Sequence, residues 1–134
     1  MRRRRLLVVV GLLVLLGTAR APAEEQKKTS PTVAREIAES NEKTPAGRRY
    51  ESALNSSLDS WLRKALERCL KGVSKDQVIS FDVLVRIGEK GDAEEVLFAP
   101  DTPVGRCAEP EFRDAKYPSP PQPSWWVRIE VGLK

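Results

Sequence analysis

The amino-acid sequence predicts an α+β domain over residues 51–134, in which a small three-stranded antiparallel sheet carries two helices on one face. The predicted order of elements is α-β-β-α-β, and the predicted order of strands across the sheet is 2-1-3. Three patterns support this. Apolar residues recur every three or four positions in 54–73, they alternate with other residues in 81–87 and 125–133, and two glycines mark a turn at 88–92.

The N-terminal segment has the pattern of a secretory signal peptide. Four arginines at positions 2–5 precede the apolar run LLVVVGLLVLLG at 6–17, and a small-residue Ala-Pro-Ala site ends at Ala23. We therefore expect residues 1–23 to be removed, with cleavage before Glu24. The alternative is that 6–17 stays in the bilayer as an anchor, although a transmembrane helix needs about 20 apolar residues.

The charge balance argues against a nucleic-acid partner. The whole chain has 23 Lys and Arg and 19 Asp and Glu, but residues 1–23 contain five arginines and no acid. The remaining chain therefore has 18 basic and 19 acidic residues. No basic excess is left to neutralise phosphates, which nucleic-acid binding requires.

The only two cysteines, Cys69 and Cys107, are expected to form a disulfide. An even number of cysteines in an exported chain usually means that they are paired. The bridge would close a loop of about 38 residues. It would raise the free energy of unfolding by roughly 4 kcal/mol, because it removes entropy from the denatured chain. The alternative is two buried free thiols.

Residues 24–50 are expected to be a flexible polar tether. They are mixed in charge and poor in large apolar residues, so they bury little surface. One short helix is possible, with Ser30 as its cap, Pro31 in its first turn, and Val33 and Ile37 four positions apart. Two apolar side chains would not hold this helix firmly.

The first helix of the domain is predicted from Glu51 to the basic, glycine-containing end at Lys71 and Gly72. Steps of three and four residues place its apolar side chains on one face, which points Cys69 into the core. That face consists of Leu54, Leu58, Trp61, Leu62, Ala65, Leu66, Cys69 and Val73.

A β-hairpin is predicted to follow. Its first strand is 81–87, where Phe81, Val83, Val85 and Ile87 alternate with Asp82, Leu84 and Arg86, and its second strand is 95–98. The connecting segment, Gly88 to Asp92, holds two glycines and an aspartate, which are typical turn residues.

A second helix is predicted between Thr102 and Pro118. Thr102 is a suitable N-cap and Pro103 suits the first turn. Pro110 does not suit a helix interior, because it removes a hydrogen bond. We therefore expect a kink, or a start delayed until about Ala108.

The C-terminal residues form the clearest predicted strand. The prolines at 118, 120 and 121 give a stiff extended connector. Apolar residues then occupy alternate positions from Trp125 to Leu133. A helical crossover places this third strand beside the first, at an edge of the sheet.

Taken together, these features resemble the C-terminal domain of the TonB/TolA family of periplasmic energy transducers. Within that family the chain is most similar to the paired-cysteine version in AgmX-like gliding-motility proteins. The resemblance covers about residues 52–134 and is carried by Cys69, the strand 81–87, Gly91, Cys107, the Tyr117-Pro118-Ser119-Pro120 corner and the final strand.

The resemblance implies a bacterial envelope protein located in the periplasm. It also implies that a partner peptide adds to the edge of the terminal strand. The long Pro- and Lys-rich segment that spans the periplasm in TonB has no counterpart in this chain. Its absence favours a binding role over energy transduction.

The residue types argue against an enzyme. The chain has no histidine, which excludes histidine-based triads and histidine-ligated metals. Two distant cysteines provide neither a CxxC redox pair nor a four-ligand zinc site. We therefore expect no catalytic residue, no cofactor and no metal.

The predicted partner-binding residues are Trp126, Arg128 and Glu130, on the outward face of the terminal strand. The alternative is that Trp126 covers the polar side of the sheet while the charges protect the edge from aggregation.

The functional hypothesis is an exported, non-catalytic module that binds an envelope protein or peptide by strand addition. Two alternatives are a membrane-anchored energy transducer and a structural homodimer formed through the terminal strand.

Overall fold

The structure, a computed structural model, describes Gly17 and residues 28–133. The predicted cleavage site between Ala23 and Glu24 and, apart from Gly17, the whole predicted signal peptide lie outside these residues. In chain order the described part forms α1 (Pro31–Glu42), α2 (Pro45–Leu58), α3 (Leu62–Leu70), a short 3-10 helix (Lys75–Gln77), β1 (Phe81–Ile87), β2 (Ala93–Ala99), α4 (Pro103–Asp114) and β3 (Trp125–Val131). None of the helices in residues 28–133 has the length and apolar character needed to cross a membrane.

The predicted α+β fold class and strand order are confirmed. The three strands of the described chain form one antiparallel sheet in the order β2-β1-β3. In the centre of the sheet Val85 pairs with Val96 on one side and with Val127 on the other. The two outer strands, β2 and β3, are therefore the edges of this sheet.

One face of the sheet carries the main core. Alternate residues of β1 and β3 pack there against α2, α3 and α4. The strand residues of this core are Phe81, Val83, Val85, Ile87, Trp125, Val127, Ile129 and Val131. Their alternation is the period-2 pattern that predicted the strands.

The single helix predicted from residue 51 is two helices in the structure. Helix α2 ends at Leu58. From there to Trp61 the backbone hydrogen bonds join residues three apart, as in a 3-10 turn. The Trp61 ring lies edge-on to Phe112 of α4, with 5.2 Å between ring centroids. The apolar spacing is shared by both helices, which is why the sequence pattern does not reveal the break.

The predicted disulfide is present. Cys69 of α3 and Cys107 of α4 are bridged, with 5.7 Å between their Cα atoms and 38 residues between them in sequence. The bridge joins two of the three helices that pack on the main face of the sheet.

Helix α4 begins where the sequence predicts it. The Thr102 hydroxyl accepts a hydrogen bond from the Gly105 N–H at 3.1 Å, and Pro103 is the first helical residue. The expectation of a delayed start at Ala108 is wrong, because the helix is continuous through Pro110. Pro110 and Arg106, four positions earlier, are both exposed, so water can satisfy the carbonyl group that the proline leaves without a donor.

The expectation of a tether is wrong for residues 31–50, which form α1 and the first part of α2. Ser30 caps α1 and Thr44 caps α2. The fully buried residues of α1 are Ala34 and Ala38, which pack against the second face of the sheet. Small side chains let a helix approach a sheet closely, so this segment is ordered without large apolar residues.

The sequence analysis considered Val33 and Ile37 as the apolar side chains of α1, but neither of them is buried against the sheet. Val33 and Ile37 are 47% and 40% exposed, and the alanine that directly follows each of them makes the contact. Both faces of the sheet are therefore covered, one by α1 and the other by α2, α3 and α4. The prediction placed all helices on one face.

Two tyrosines fasten the proline-rich connector to the rest of the domain. The Tyr117 hydroxyl donates to the Phe112 carbonyl at 2.6 Å, and the Tyr50 hydroxyl donates to the Pro118 carbonyl at 2.7 Å. The Tyr117 N–H also donates to the carbonyl of Gly91 in the hairpin turn, at 2.9 Å. Gly91 has a φ of +85°, and an added Cβ would lie 2.1 Å from the Tyr117 oxygen, so only glycine fits there.

The first prediction concerns the disulfide. Replacing Cys69 and Cys107 together with serine should lower the free energy of unfolding by about 2–4 kcal/mol, because the denatured chain loses its cross-link. Urea denaturation measures the change. A reductant should shift the wild-type midpoint towards that of the double variant and leave the variant itself unchanged. Equal midpoints for the oxidised protein and the variant would contradict the prediction.

The second prediction tests the packing of α1. Ala38→Leu should destabilise the protein by about 1–3 kcal/mol, because the larger side chain overpacks the contact with the sheet. The matched control is Val33→Leu on the exposed side of the same helix, which should change stability by less than about 0.5 kcal/mol. Thermal denaturation of both variants measures the difference. If residues 31–42 were a tether, both substitutions would be neutral.

The third prediction concerns alkaline pH. Burial raises the pKa of Tyr50 from an ordinary value of 10.0 to about 12 and also raises the pKa of Tyr117, which the nearby Tyr50 raises further. The folded state therefore holds these protons more tightly than the unfolded state. The resulting stability is complete below pH 10 and is lost as the pH rises towards 12.

Denaturant unfolding across this pH range measures the loss, and ultraviolet absorbance of tyrosinate follows the ionisation. The control is Tyr50→Phe, in which the dependence of stability on pH should be shallower. An ordinary tyrosinate titration in the folded protein would show that the hydroxyls are not buried as described.

Candidate functional site

The side chains of the three predicted binding residues all lie on the second face of the sheet, towards α1. Trp126 is 5% exposed and packs with Ala34, Ala38 and Leu84. The prediction required an exposed side chain at this position, whereas Trp126 is buried. The physical reason is the cover provided by α1, which the tether interpretation did not include.

Arg128 connects β3 to α1. Its guanidinium lies 3.2 Å from a Glu39 oxygen, 3.6 Å from a Glu42 oxygen and 3.3 Å from a Glu130 oxygen. Its side chain is 24% exposed, whereas that of Glu130 is 69% exposed. The ion pairs therefore position Arg128 at the margin of α1, and Glu130 projects beyond it.

The direction of the β3 backbone groups follows from two side-chain contacts. The Asn41 amide donates to the Trp126 carbonyl at 3.0 Å, so this carbonyl points away from β1. At the other end the Leu133 N–H donates to the Ser80 hydroxyl beside β1, at 2.9 Å. Because antiparallel residues alternate in direction, the backbone groups of Arg128, Glu130 and Gly132 also point outward.

The first half of the β3 edge is closed by the corner between α1 and α2. The Asn41 side-chain amide is already hydrogen-bonded to the Trp126 carbonyl, and Tyr50 and Leu54 are buried beside it. The space left between this corner and β3 is about 10 Å³. No extended chain can enter there.

The second half of the edge, from Arg128 to Gly132, is open. Within residues 28–133, no hydrogen bond reaches the outward backbone groups of Arg128, Glu130 or Gly132. An added Cβ at Gly132 meets no atom within 4 Å. Unpaired strand groups of this kind are a template for another strand.

A groove runs beside this open half, and we call it the β3 groove. Its apolar part has a volume of about 340 Å³, and an adjoining part has a volume of about 400 Å³. Both parts share Leu58, Asp59 and Leu62, so the groove is continuous. Its lining consists of Glu42, Glu51, Asn55, Leu58, Asp59, Leu62, Arg63, Leu66, Glu67, Leu70, Arg128, Ile129, Glu130 and Leu133.

The apolar part of the groove is formed by a row of leucines four residues apart. Leu58 ends α2, and Leu62, Leu66 and Leu70 follow along α3. Leu62, Leu66, Leu70 and Leu133 pack against the core but remain partly exposed. The row therefore provides an apolar wall beside the open backbone edge.

The rest of the groove is acidic. Five carboxylate side chains and two arginines line it among the described residues: Glu42, Glu51, Asp59, Glu67, Glu130, Arg63 and Arg128. Burial raises the pKa of the Glu42 carboxyl, and Glu51, Glu39 and Glu130 raise it further, whereas Arg128 lowers it. Several carboxylates therefore surround the Glu42 side chain.

The opposite edge of the sheet has a different character. A cleft of about 630 Å³ lies beside β2, and the arginines and glutamates that line it are paired with one another. Arg86 lies 3.3 Å from Glu94 and 3.5 Å from Glu95. Within the described residues, the lining of the β2 cleft includes no row of leucines like the one beside β3.

Two features of the site were missed by the sequence analysis. Leu58, Leu62 and Leu66 were assigned to the core, and Leu70 was not assigned to the apolar face. The β3 edge was predicted as the site of strand addition, but its closed first half and its open second half were not distinguished. The four-residue repeat from Leu58 to Leu70 is the signal that could have indicated a groove.

The candidate site is thus an open strand edge with an apolar wall on one side and carboxylates around it. Its residues come from the end of α1, from α2 and α3, and from β3. Comparison of the chain with protein-family models, with curated proteins and with solved structures found no match.

Proposed function

We propose that this protein is an exported, non-catalytic module that binds an extended segment of a partner protein along the open half of β3. The observation that carries this proposal is the outward, unpaired backbone of Arg128, Glu130 and Gly132. Two of these residues, Arg128 and Glu130, line the groove together with the first two leucines of the row. The Cys69–Cys107 bridge supports export, since structural disulfides are typical of oxidising compartments.

Strand addition explains how both parts of the groove are used. The partner backbone hydrogen-bonds to the β3 edge, which provides affinity for any extended chain. The partner side chains alternate between the two faces of the extended sheet. One set faces the leucines, and the other set faces Arg128 and Glu130, so selectivity depends on the side-chain pattern of the partner.

The roles of the predicted binding residues change accordingly. Trp126 holds α1 against the sheet. Arg128 and Glu130 present their backbone groups to the partner strand. The same edge would serve a membrane-anchored form of the protein, because strand addition does not depend on residues 6–17.

A homodimer through β3 is less favoured than a different partner. Antiparallel pairing of two β3 edges would bring Glu130 and the nearby Glu42 and Glu51 of one copy towards those of the other. Glu130 is 69% exposed, and like charges directly opposite each other destabilise a strand pair.

The fourth prediction tests the role of the strand edge. Gly132→Pro removes one outward N–H, and Gly132→Ala keeps it. Both substitutions have space, because nothing lies within 4 Å of an added Cβ, and the preceding residue, Val131, is already extended, as a residue before proline prefers. The two variants therefore form a matched pair.

Extended peptides selected from a random library on the wild-type protein provide the ligands, and fluorescence anisotropy measures their affinity. Gly132→Pro should weaken binding about tenfold or more, because a peptide carbonyl loses its donor. Gly132→Ala should bind like the wild type. Hydrogen exchange at the Arg128 and Glu130 amides should slow on binding. Selected peptides that bind all three proteins equally would contradict the proposal.

A further inference from the structure

We infer that the partner segment is a cationic amphipathic strand, with apolar side chains facing the leucines and Lys or Arg at the alternate positions. This inference rests on the proposed strand addition and adds the chemistry of the partner. It is carried by the placement of apolar and acidic residues around the β3 groove.

The two faces of an added strand meet different surroundings. On the side of α2 and α3, its side chains lie over the row from Leu58 to Leu70, with Leu133 at the far end. On the side of α1, they lie beside Glu130, with Glu42 behind it. An alternating sequence therefore matches the groove better than a uniformly apolar one.

The two arginines of the groove, Arg63 and Arg128, do not balance its five carboxylates, which lie on both sides of the groove. Arg128 is shared among Glu39, Glu42 and Glu130. Within residues 28–133, Glu51, Asp59 and Glu67 form no salt bridge. The net negative charge of the lining favours a cationic segment and repels an acidic one.

The experiment compares three short peptides with capped ends, in which valine alternates with lysine, threonine or glutamate: VKVKVKV, VTVTVTV and VEVEVEV. Each lysine near a carboxylate should strengthen binding about two- to fivefold. The lysine peptide should therefore bind about tenfold or more tightly than the threonine peptide. The glutamate peptide should bind most weakly, and added salt should reduce the difference.

Variants of the full chain identify the carboxylates. Glu51→Gln and Glu130→Gln should each weaken binding of the lysine peptide about two- to fivefold and leave binding of the threonine peptide unchanged. The matched control is Glu89→Gln, because Glu89 is exposed in the hairpin turn and does not line the groove. That variant should bind all three peptides like the wild type.

The outcomes separate the two proposals. Equal affinities for the three peptides, with binding that Gly132→Pro still weakens, would overturn the cationic partner and support strand addition. A preference for the glutamate peptide would overturn the cationic partner in the same way. If Gly132→Pro weakens none of the peptides relative to Gly132→Ala, strand addition at β3 is itself wrong, and the inference about charge is wrong with it.

Discussion

The close packing of α1 on the sheet, through Ala34 and Ala38, determines what the β3 edge can do. It buries Trp126 and Leu84 between two layers and covers the second face of the sheet. It also positions the end of the helix, so that Asn41 reaches the Trp126 carbonyl and Glu42 reaches the groove. Without this contact the whole of β3 would be an exposed edge with an exposed tryptophan.

A partly covered edge reconciles solubility with binding. A long, flat, open strand invites aggregation, and proteins usually shorten or charge such edges. Here the corner between α1 and α2 closes the first half of β3, and the carboxylates of Glu42, Glu51 and Glu130 surround the second half. The open segment that remains is short, so binding requires a partner that also matches the leucines and the charges.

The predictable parts of the molecule are those that follow from local periodicity. Alternation identified β1 and β3, Thr102 and Pro103 identified the start of α4, and the cysteine count together with the expected compartment identified the disulfide. The role of α1 could not be predicted in this way, because its contact uses alanines and its larger residues point outward. The position of Trp126 followed from that error, since alternation assigns a residue to a face but does not say what covers the face.

The leucine row was difficult to recognise for a different reason, which also explains the position of the disulfide. A wall that contacts both the core and a groove has the same apolar spacing as a wall that contacts the core alone. Leucines left partly exposed contribute less to stability than buried ones, because less of their surface leaves water. Cys69 lies within the same turns of α3 as Leu66 and Leu70, and its bridge to α4 fixes this helix covalently. The cross-link therefore compensates for the stability that the partly exposed leucines do not provide. As a result, α3 can keep an apolar surface beside the β3 edge.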